Sequence, residues 1–268
     1  MHKYDVLPPV TRREHILKDI ELLDGNLIPQ LSEKYGVSEM TIRRDLKVLE
    51  DEGYIKRTWG GAVLWPTVAN EPAVLSRVKR QAMRPKEKEA IAAYAARHFV
   101  EEGDIITMEG GTTVTAMAQF LKGFEDLTVV TNGLYTADEL QRNLPPSATI
   151  ICAGGILRPE SSTFVGPVAE GFFREFNAHR LFLSATGLSL QTGITDPKML
   201  ETQVKRAMIA SADEVILLLD SSKFGVKSLM TVIEFDQITA LITDEDAPAD
   251  VVERLRSTGV DVILASPR

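Results

Sequence analysis

Two short runs in this sequence combine residue types and spacing that could do chemistry. The first, Ser38-Glu39-Met40-Thr41-Ile42-Arg43-Arg44-Asp45-Leu46-Lys47, sets hydroxyls, two guanidinium groups and an ammonium within ten positions. Such donors hydrogen-bond phosphate oxygens and the edges of bases. The second, Glu109-Gly110-Gly111-Thr112-Thr113, joins two glycines to two threonines. Glycines let backbone N–H groups approach an anion, threonines add hydroxyl donors, and a helix starting there adds a favourable dipole. The run lacks the Gly-Lys-Ser/Thr of a nucleotide loop and the spacing of a dinucleotide fingerprint, so a small phosphorylated ligand fits it better than a nucleotide. A plain structural turn is the competing reading.

Other reactive types are sparse. The histidines, His2, His15, His98 and His179, are scattered without metal-ligand spacing, and neither a metal nor another cofactor is expected. The single cysteine, Cys152, excludes an internal disulfide and fits a reducing cytosol. Its apolar neighbours Ile150, Ile151 and Ala153 make it a small core residue by expectation. Val215 to Leu219 is far too short to span a bilayer, and Met1 to Asp5 lacks the apolar core of a signal peptide. A cytoplasmic protein with no membrane partner follows as the expectation.

The elements that must position the first run are helical. Ile16, Leu17, Ile20 and Leu23 form one apolar stripe between Arg12 and Leu23, and Asp24-Gly25-Asn26 stops it. A second helix over about Ile28–Tyr35 buries Leu31 and ends at Gly36, a left-handed cap, after which Val37 returns to the core. Ser38 then caps a third helix over about Glu39–Glu52, whose inner face is Ile42, Leu46 and Leu49. Met40, Arg43, Arg44 and Lys47 lie opposite, with the acids Glu50-Asp51-Glu52 kept at the far end. A helix entering the major groove keeps its negative charge away from phosphate in this way. Tyr54 to Arg57 and Ala62 to Leu64 flank Thr58-Trp59-Gly60-Gly61 as a hairpin wing ending near Trp65, with Arg57 available for a DNA backbone or minor-groove contact. Two arginines on one helix face are commonly only a solvated surface. The order of helix, glycine turn, serine cap, basic face and hairpin outweighs that reading.

The net charge of −8 needs reconciling with DNA. Residues 1–80 hold 13 Lys and Arg against 12 Asp and Glu, leaving 17 against 26 in the remainder. The acidity thus sits outside the basic helix, and phosphate attraction acts over only about 8–10 Å.

From Lys86 onward, strands and helices alternate. A helix at Lys86–Val100 precedes strands at about Asp104–Met108, Leu127–Val130, Thr149–Ala153, Arg180–Ala185, Glu214–Leu219, Ala240–Thr243 and Asp261–Leu264. Alternation of this kind makes a mostly parallel sheet with helices on both faces, which binds ligands at its carboxyl strand ends. Those ends carry Gly110 to Thr113, Thr131 and Asn132, Gly154 and Gly155, Gly187 and Lys223. Lys223 is equally readable as a ligand's charge partner or a surface lysine. Arg158 is read as a loop salt bridge ahead of a pocket residue, and Asp196 as a helix cap ahead of a ligand for hydroxyls. The expected organisation is a winged helix-turn-helix of α+β class at 1–65, a linker at 66–84 and an α/β domain at 85–268.

Tyr35 to Leu46, with Leu49, Gly53 and Gly60-Gly61-Ala62, resembles the DeoR family of bacterial transcriptional regulators, and the resemblance runs from about Arg12 to Leu264. It implies a repressor of a sugar or polyol operon, relieved by a phosphorylated metabolite. It also implies DNA contacts from Ser38, Thr41, Arg43, Arg44 and Lys47, with Asp45 orienting an arginine or the helix. The second domain would be phosphosugar-isomerase-like. Its matching pieces are Gly111-Thr112-Thr113, Val130-Thr131-Asn132, Ala153-Gly154-Gly155, Gly187 to Asp196, Glu201 with Lys205-Arg206, and Asp220 to Gly225. Two departures stand out. Glu109-Gly110 replaces the usual aspartate before the loop, and Ser184-Ala185-Thr186-Gly187 lacks the isomerase's aspartate. Without that base, transfer of a proton between sugar carbons has no agent, so sensing is expected in place of turnover. The alternative is a sugar-phosphate isomerase with an accessory DNA-binding domain. The expected partners are a double-stranded operator, a phosphorylated sugar effector and a second copy of the chain, as a homodimer or tetramer.

Overall fold

The computed structural model describes residues 9–22, 27–51, 55–58, 61–64 and 77–266. The chain divides into two compact units, Met1–Asn70 and Glu71–Arg268.

In the first unit α1 (Pro9–Leu22), α2 (Leu27–Tyr35) and α3 (Glu39–Asp51) precede the hairpin β1 (Ile55–Thr58) and β2 (Gly61–Leu64). Their core is Ile16, Ile20, Ile28, Leu31, Ile42, Leu46, Leu49 and Ile55, with Tyr35 and Val37 packed against it. The stripes of period 3.6 thus meet as expected, and α1 begins earlier than Arg12, at Pro9. Gly36 adopts φ +62, the left-handed cap that ends α2. Hairpin register pairs Ile55 with Leu64 and Arg57 with Ala62. Leu23, Trp59 and Trp65, and the side chains of Leu17 and Arg57, lie outside what is described.

The second unit opens with α4 (Arg77–Ala82) and α5 (Pro85–Phe99), then β3 (Ile105–Met108) and α6 (Thr112–Thr115), which tightens into a 3-10 turn over Ala116–Phe120. Next come β4 (Thr128–Thr131), α7 (Leu134–Asn143), β5 (Thr149–Cys152), β6 (Ile156–Arg158), β7 (Thr163–Val165) and α8 (Pro167–Arg174). β8 (Ala178–Leu183), β9 (Gly187–Ser189), β10 (Gly193–Asp196), α9 (Met199–Ala210) and β11 (Ala212–Leu218) follow. β12 (Met230–Ile233), β13 (Ala240–Asp244), α10 (Ala249–Ser257) and β14 (Asp261–Ala265) complete it.

Seven strands form one sheet in the order β14-β13-β11-β8-β3-β4-β5. Every neighbouring pair in it is parallel. Its runs, such as Val215 to Leu218, are buried on both faces, under one apolar cluster around Phe173 and Met208 and another around Ile91 and Met117. β9, β10 and β12 make a separate antiparallel sheet, and β6 with β7 a hairpin. The chain winds outward from β3 to β5 on one side, then crosses to β8 and winds outward on the other. The strand order therefore reverses between β3 and β8, where carboxyl ends diverge and leave a crevice.

Two expectations about local structure change here and a third holds. Cys152 is exposed, because β5 is an edge strand and lacks a neighbour on one side. Asp196 does not cap α9, whose cap position is Lys198 without a side-chain hydrogen bond. Arg158 pairs with Glu160 at 3.3 Å and Glu201 at 3.5 Å, the salt bridge anticipated for it.

Candidate DNA-reading face and effector pocket

The face of α3 away from the core is built by its cap and held by buried charge. Ser38 Oγ accepts from Thr41 N at 3.2 Å and lies 2.9 Å from Thr41 Oγ1, so the first turn is closed by the expected cap. Asp45 is buried and accepts from Arg12 Nε at 2.7 Å, tying α3 to α1, so it orients an arginine as the resemblance implied. Asp19 accepts from Lys34 Nζ and Tyr35 Oη, both at 2.6 Å. Burial pushes its pKa up, yet these bonds hold it below the ordinary carboxylate value. These pairs lock α1, α2 and α3 together and leave one helix face to solvent. On it Met40 is 69% exposed, and Arg43, Arg44 and Lys47 are exposed beside it. Arg43 reaches back to Glu39 at 3.6 Å. Arg57 sits on β1 opposite Ala62, with its backbone alone described.

In the second unit a cleft of about 240 Å³ opens at the reversal of strand order. After β3 it is lined by Glu109, Gly110, Thr112 and Thr113, after β4 by Asn132, and after β8 by Ser184 to Thr186. Asp196, Glu201 and Lys205 close one wall, while Asp220, Ser222, Lys223, Lys88, Arg80 and Met83 contribute others.

Lys205 is almost fully buried. Its ammonium donates to Asp196 Oδ2 at 2.5 Å and to the Ser184 carbonyl at 2.6 Å, with Glu109 Oε1 at 3.5 Å. Burial works to lower its pKa, but Asp196 and Glu109 together hold it above the usual lysine value. Asp196 also takes the Thr186 N–H at 2.8 Å, and so joins the β8 end to α9. The Lys88 ammonium donates to the Arg80 carbonyl. Burial pushes its pKa down to about 8; Lys223 and Arg80 add to that push, and Asp220 opposes it. The cleft thus holds one cation satisfied by carboxylates and a second group of cations that repel each other.

The glycine loop departs from the cradle expected of it. Gly110 N donates to Asn132 Oδ1 at 3.0 Å, and Gly111 N to Glu109 Oε2 at 2.9 Å. Both N–H groups are therefore engaged by the protein's own side chains. The glycines answer to packing: a Cβ at position 111 would lie 1.9 Å from Ser184 Oγ, and one at 110 would lie 2.4 Å from Thr163. Thr112 and Thr113, in the first turn of α6, face the cleft with their N–H groups left over from the helix ladder.

A model of the DeoR-like helix-turn-helix domain matches residues 12–67, and one of the DeoR C-terminal sensor domain matches residues 83–245. The chain belongs to the DeoR family. It is 36% identical to the HTH-type transcriptional regulator GolR of Listeria innocua, covering 92% of this chain and 96% of that one. It is 33% identical to a putative aga operon transcriptional repressor of Escherichia coli O157:H7, covering 94% and 93%. Identity to the HTH-type regulator GlpR of Haloferax volcanii is also 33%, covering 95% and 97%. These relatives are named as regulators, and this DeoR-family chain is a DNA-binding transcriptional regulator. Among solved structures, ribose 5-phosphate isomerase from Plasmodium falciparum aligns at 13% identity and a TM-score of 0.37, over 53% of this chain and 54% of that one. The α/β fold stands on the strand order itself.

Of the residues expected at the effector site, this DeoR-family chain brings Gly110, Thr112, Thr113, Asn132 and Lys223 to the cleft. Five others do not line it. Gly111 is packed under Ser184, and Thr131 is buried with its hydroxyl donating to the Met108 carbonyl at 2.6 Å. Gly187 begins β9 against the backbone of Val226. Gly154 and Gly155 turn the chain at the exposed end of edge strand β5, away from the reversal. Arg80, Lys88, Glu109, Asp196 and Lys205 are lining residues that the site expectation omitted. Lys88 was signalled: it shares its spacing with Ile91, Ala92 and Ala95 on the buried stripe of α5.

Proposed function

We infer that this regulator represses a carbohydrate or polyol operon and is controlled by a phosphorylated sugar or related metabolite bound in the cleft. The observation that carries the effector class is the cation group that lines the cleft, buried Lys88 with half-buried Arg80 and Lys223, beside threonine hydroxyls and carboxylates. Mutually repelling cations are relieved by an anion such as phosphate, while carboxylates and amides accept hydrogen bonds from sugar hydroxyls. Thr112, Thr113, Asn132 and Gly110 complete the set of polar groups.

Operator contacts come from Ser38, Thr41, Arg43, Arg44 and Lys47 on α3, with Arg57 of the wing on the backbone. Met40 supplies an apolar contact suited to a thymine methyl. The protein acts in the cytoplasm as a homodimer or tetramer reading two half-sites; no described helix is long and apolar enough to cross a membrane.

Calorimetric titration of the full chain with sugar phosphates and their dephosphorylated counterparts tests the effector. Phosphorylated members are expected to bind, at least tenfold more weakly to Lys223→Ala. Equal binding of the dephosphorylated sugars would sink the assignment. Analytical ultracentrifugation tests the assembly, and a monomer at micromolar concentration on its operator would contradict it.

A further inference from the structure

Helix α4 is the first described element after the wing, at the end of the connection from the DNA-reading unit. It is tied to the cleft loops and to α5 by three hooks. The Arg77 N–H donates to the Glu160 carbonyl at 2.9 Å, in the β6–β7 turn. Arg77 is 5% exposed, and its guanidinium donates to the Gly110 carbonyl at 2.8 Å and Thr115 Oγ1 at 3.1 Å, lying 4.8 Å from the centre of the Tyr135 ring. The Lys88 ammonium takes the Arg80 carbonyl at the other end of the helix. Arg77 does not itself line the cleft, whereas Gly110, Arg80 and Lys88 do. The Arg80 Nε is buried without a hydrogen-bond partner.

The corner joining α4 to α5 is anchored independently. Arg84 stands there at φ +49, a costly conformation for a residue with a Cβ, and its guanidinium bridges Asp244 at 3.2 Å and Asp246 at 2.5 Å. A fixed corner with removable hooks is the arrangement of a lever.

We propose that α4 transmits occupancy of the cleft to the chain leading to the DNA-reading unit, with Arg77 and Lys88 as its positioning residues. This rests on the effector reading above. An anion in the cleft competes with the Arg80 carbonyl for Lys88 and draws inward the Arg80 guanidinium, whose Nε has no partner. The C-terminal hook of α4 opens, while Arg77 keeps the helix registered on Gly110. Ligand affinity that differs between the hooked and unhooked helix is what coupling requires.

Hydrogen exchange on the full chain tests this, in parallel with thermal shift, using inorganic phosphate and a set of hexose and pentose phosphates as probes. In the wild type, a probe that raises the melting temperature is expected to speed amide exchange over residues 77–83 about tenfold. A raised melting temperature with unchanged exchange in α4 overturns the proposal and leaves the effector reading standing. If no probe raises the melting temperature, the effector reading falls. The hooks are then judged in the unliganded protein, where Arg77→Met is expected to speed α4 exchange about tenfold while the β11 amides stay protected. Unchanged α4 exchange in that variant also overturns the proposal. Arg77→Met should keep the probe's thermal shift yet lose the further change in α4 on binding, and Arg77→Lys should recover part of it. A purely structural role would lower the melting temperature without removing that difference.

Discussion

The two units use the same cationic side chains in opposite settings. On α3, Arg43, Arg44 and Lys47 stand in water and do little for the fold. In the cleft, Lys205 and Lys88 are buried, one satisfied by carboxylates and the other desolvated on the Arg80 carbonyl, drawn by Asp220 and repelled by Lys223 and Arg80. Exposed cations wait for an external phosphate at small cost in stability. Buried ones need internal partners, so their removal disturbs the fold, and a ligand changes their energy sharply.

The largest expected effect comes from breaking the buried side of this contrast. Lys205→Met leaves Asp196 and Glu109 without their shared cation and should destabilise the second unit by about 3–5 kcal/mol, read by calorimetric unfolding. The double variant Lys205→Met with Asp196→Asn should recover part of that loss; no recovery would show that the pair is not coupled. Gly111→Ala follows, with a Cβ 1.9 Å from Ser184 Oγ and an expected cost of about 1–3 kcal/mol.

The exposed side behaves differently. Arg44→Ala should weaken binding to an operator fragment, selected from random DNA by the wild type, by about 1–3 kcal/mol, roughly 5- to 150-fold. Its thermal stability should stay within about 0.5 kcal/mol of the wild type. Losses in affinity and stability of similar size would erase the distinction between the two settings.

The subtlest effect is on pH. Lys88 titrates near 8 in the unliganded fold, below its ordinary 10.5, because of burial. An anion beside it raises that value, so binding above pH 8 takes up a proton. Affinity for a phosphorylated ligand should therefore be full below pH 8 and fall by up to tenfold per pH unit above it. In the absence of ligand the sign reverses for folding: the unfolded chain holds the extra proton between pH 8 and 10.5, so this group's contribution to stability rises across that window. Lys88→Met should flatten both profiles relative to the wild type. A profile in the variant that matches the wild type would assign the dependence elsewhere.

Legibility in sequence followed the same divide. The first unit is short and local, so apolar spacing, Gly36 and the Ser38 cap were enough to place α2 and α3. The parallel strands were readable as apolar runs, but which strand stood at the edge was not. Gly154, Gly155 and Cys152 look like residues at a central strand end until the strand order is known. Helix α9 was legible only as the helix that Asp196 was expected to cap, because Thr202 and Lys205 occupy its buried face, where periodicity seeks apolar residues. Strands β6, β7, β9 and β10 are three or four residues long, too short for an alternating pattern to register. Asp196 was misread as a cap because its partners, Thr186 and Lys205, meet it only across a hairpin and a helix.

The most direct test of the account measures operator affinity and ligand together. Fluorescence anisotropy of the selected operator fragment, titrated with full-length protein at fixed salt, should show a dissociation constant that shifts at least tenfold when a phosphorylated sugar that stabilises the second unit is added. The matching dephosphorylated sugar should leave it unchanged. An operator affinity indifferent to a ligand that demonstrably occupies the cleft would contradict the claim that the second unit governs the first.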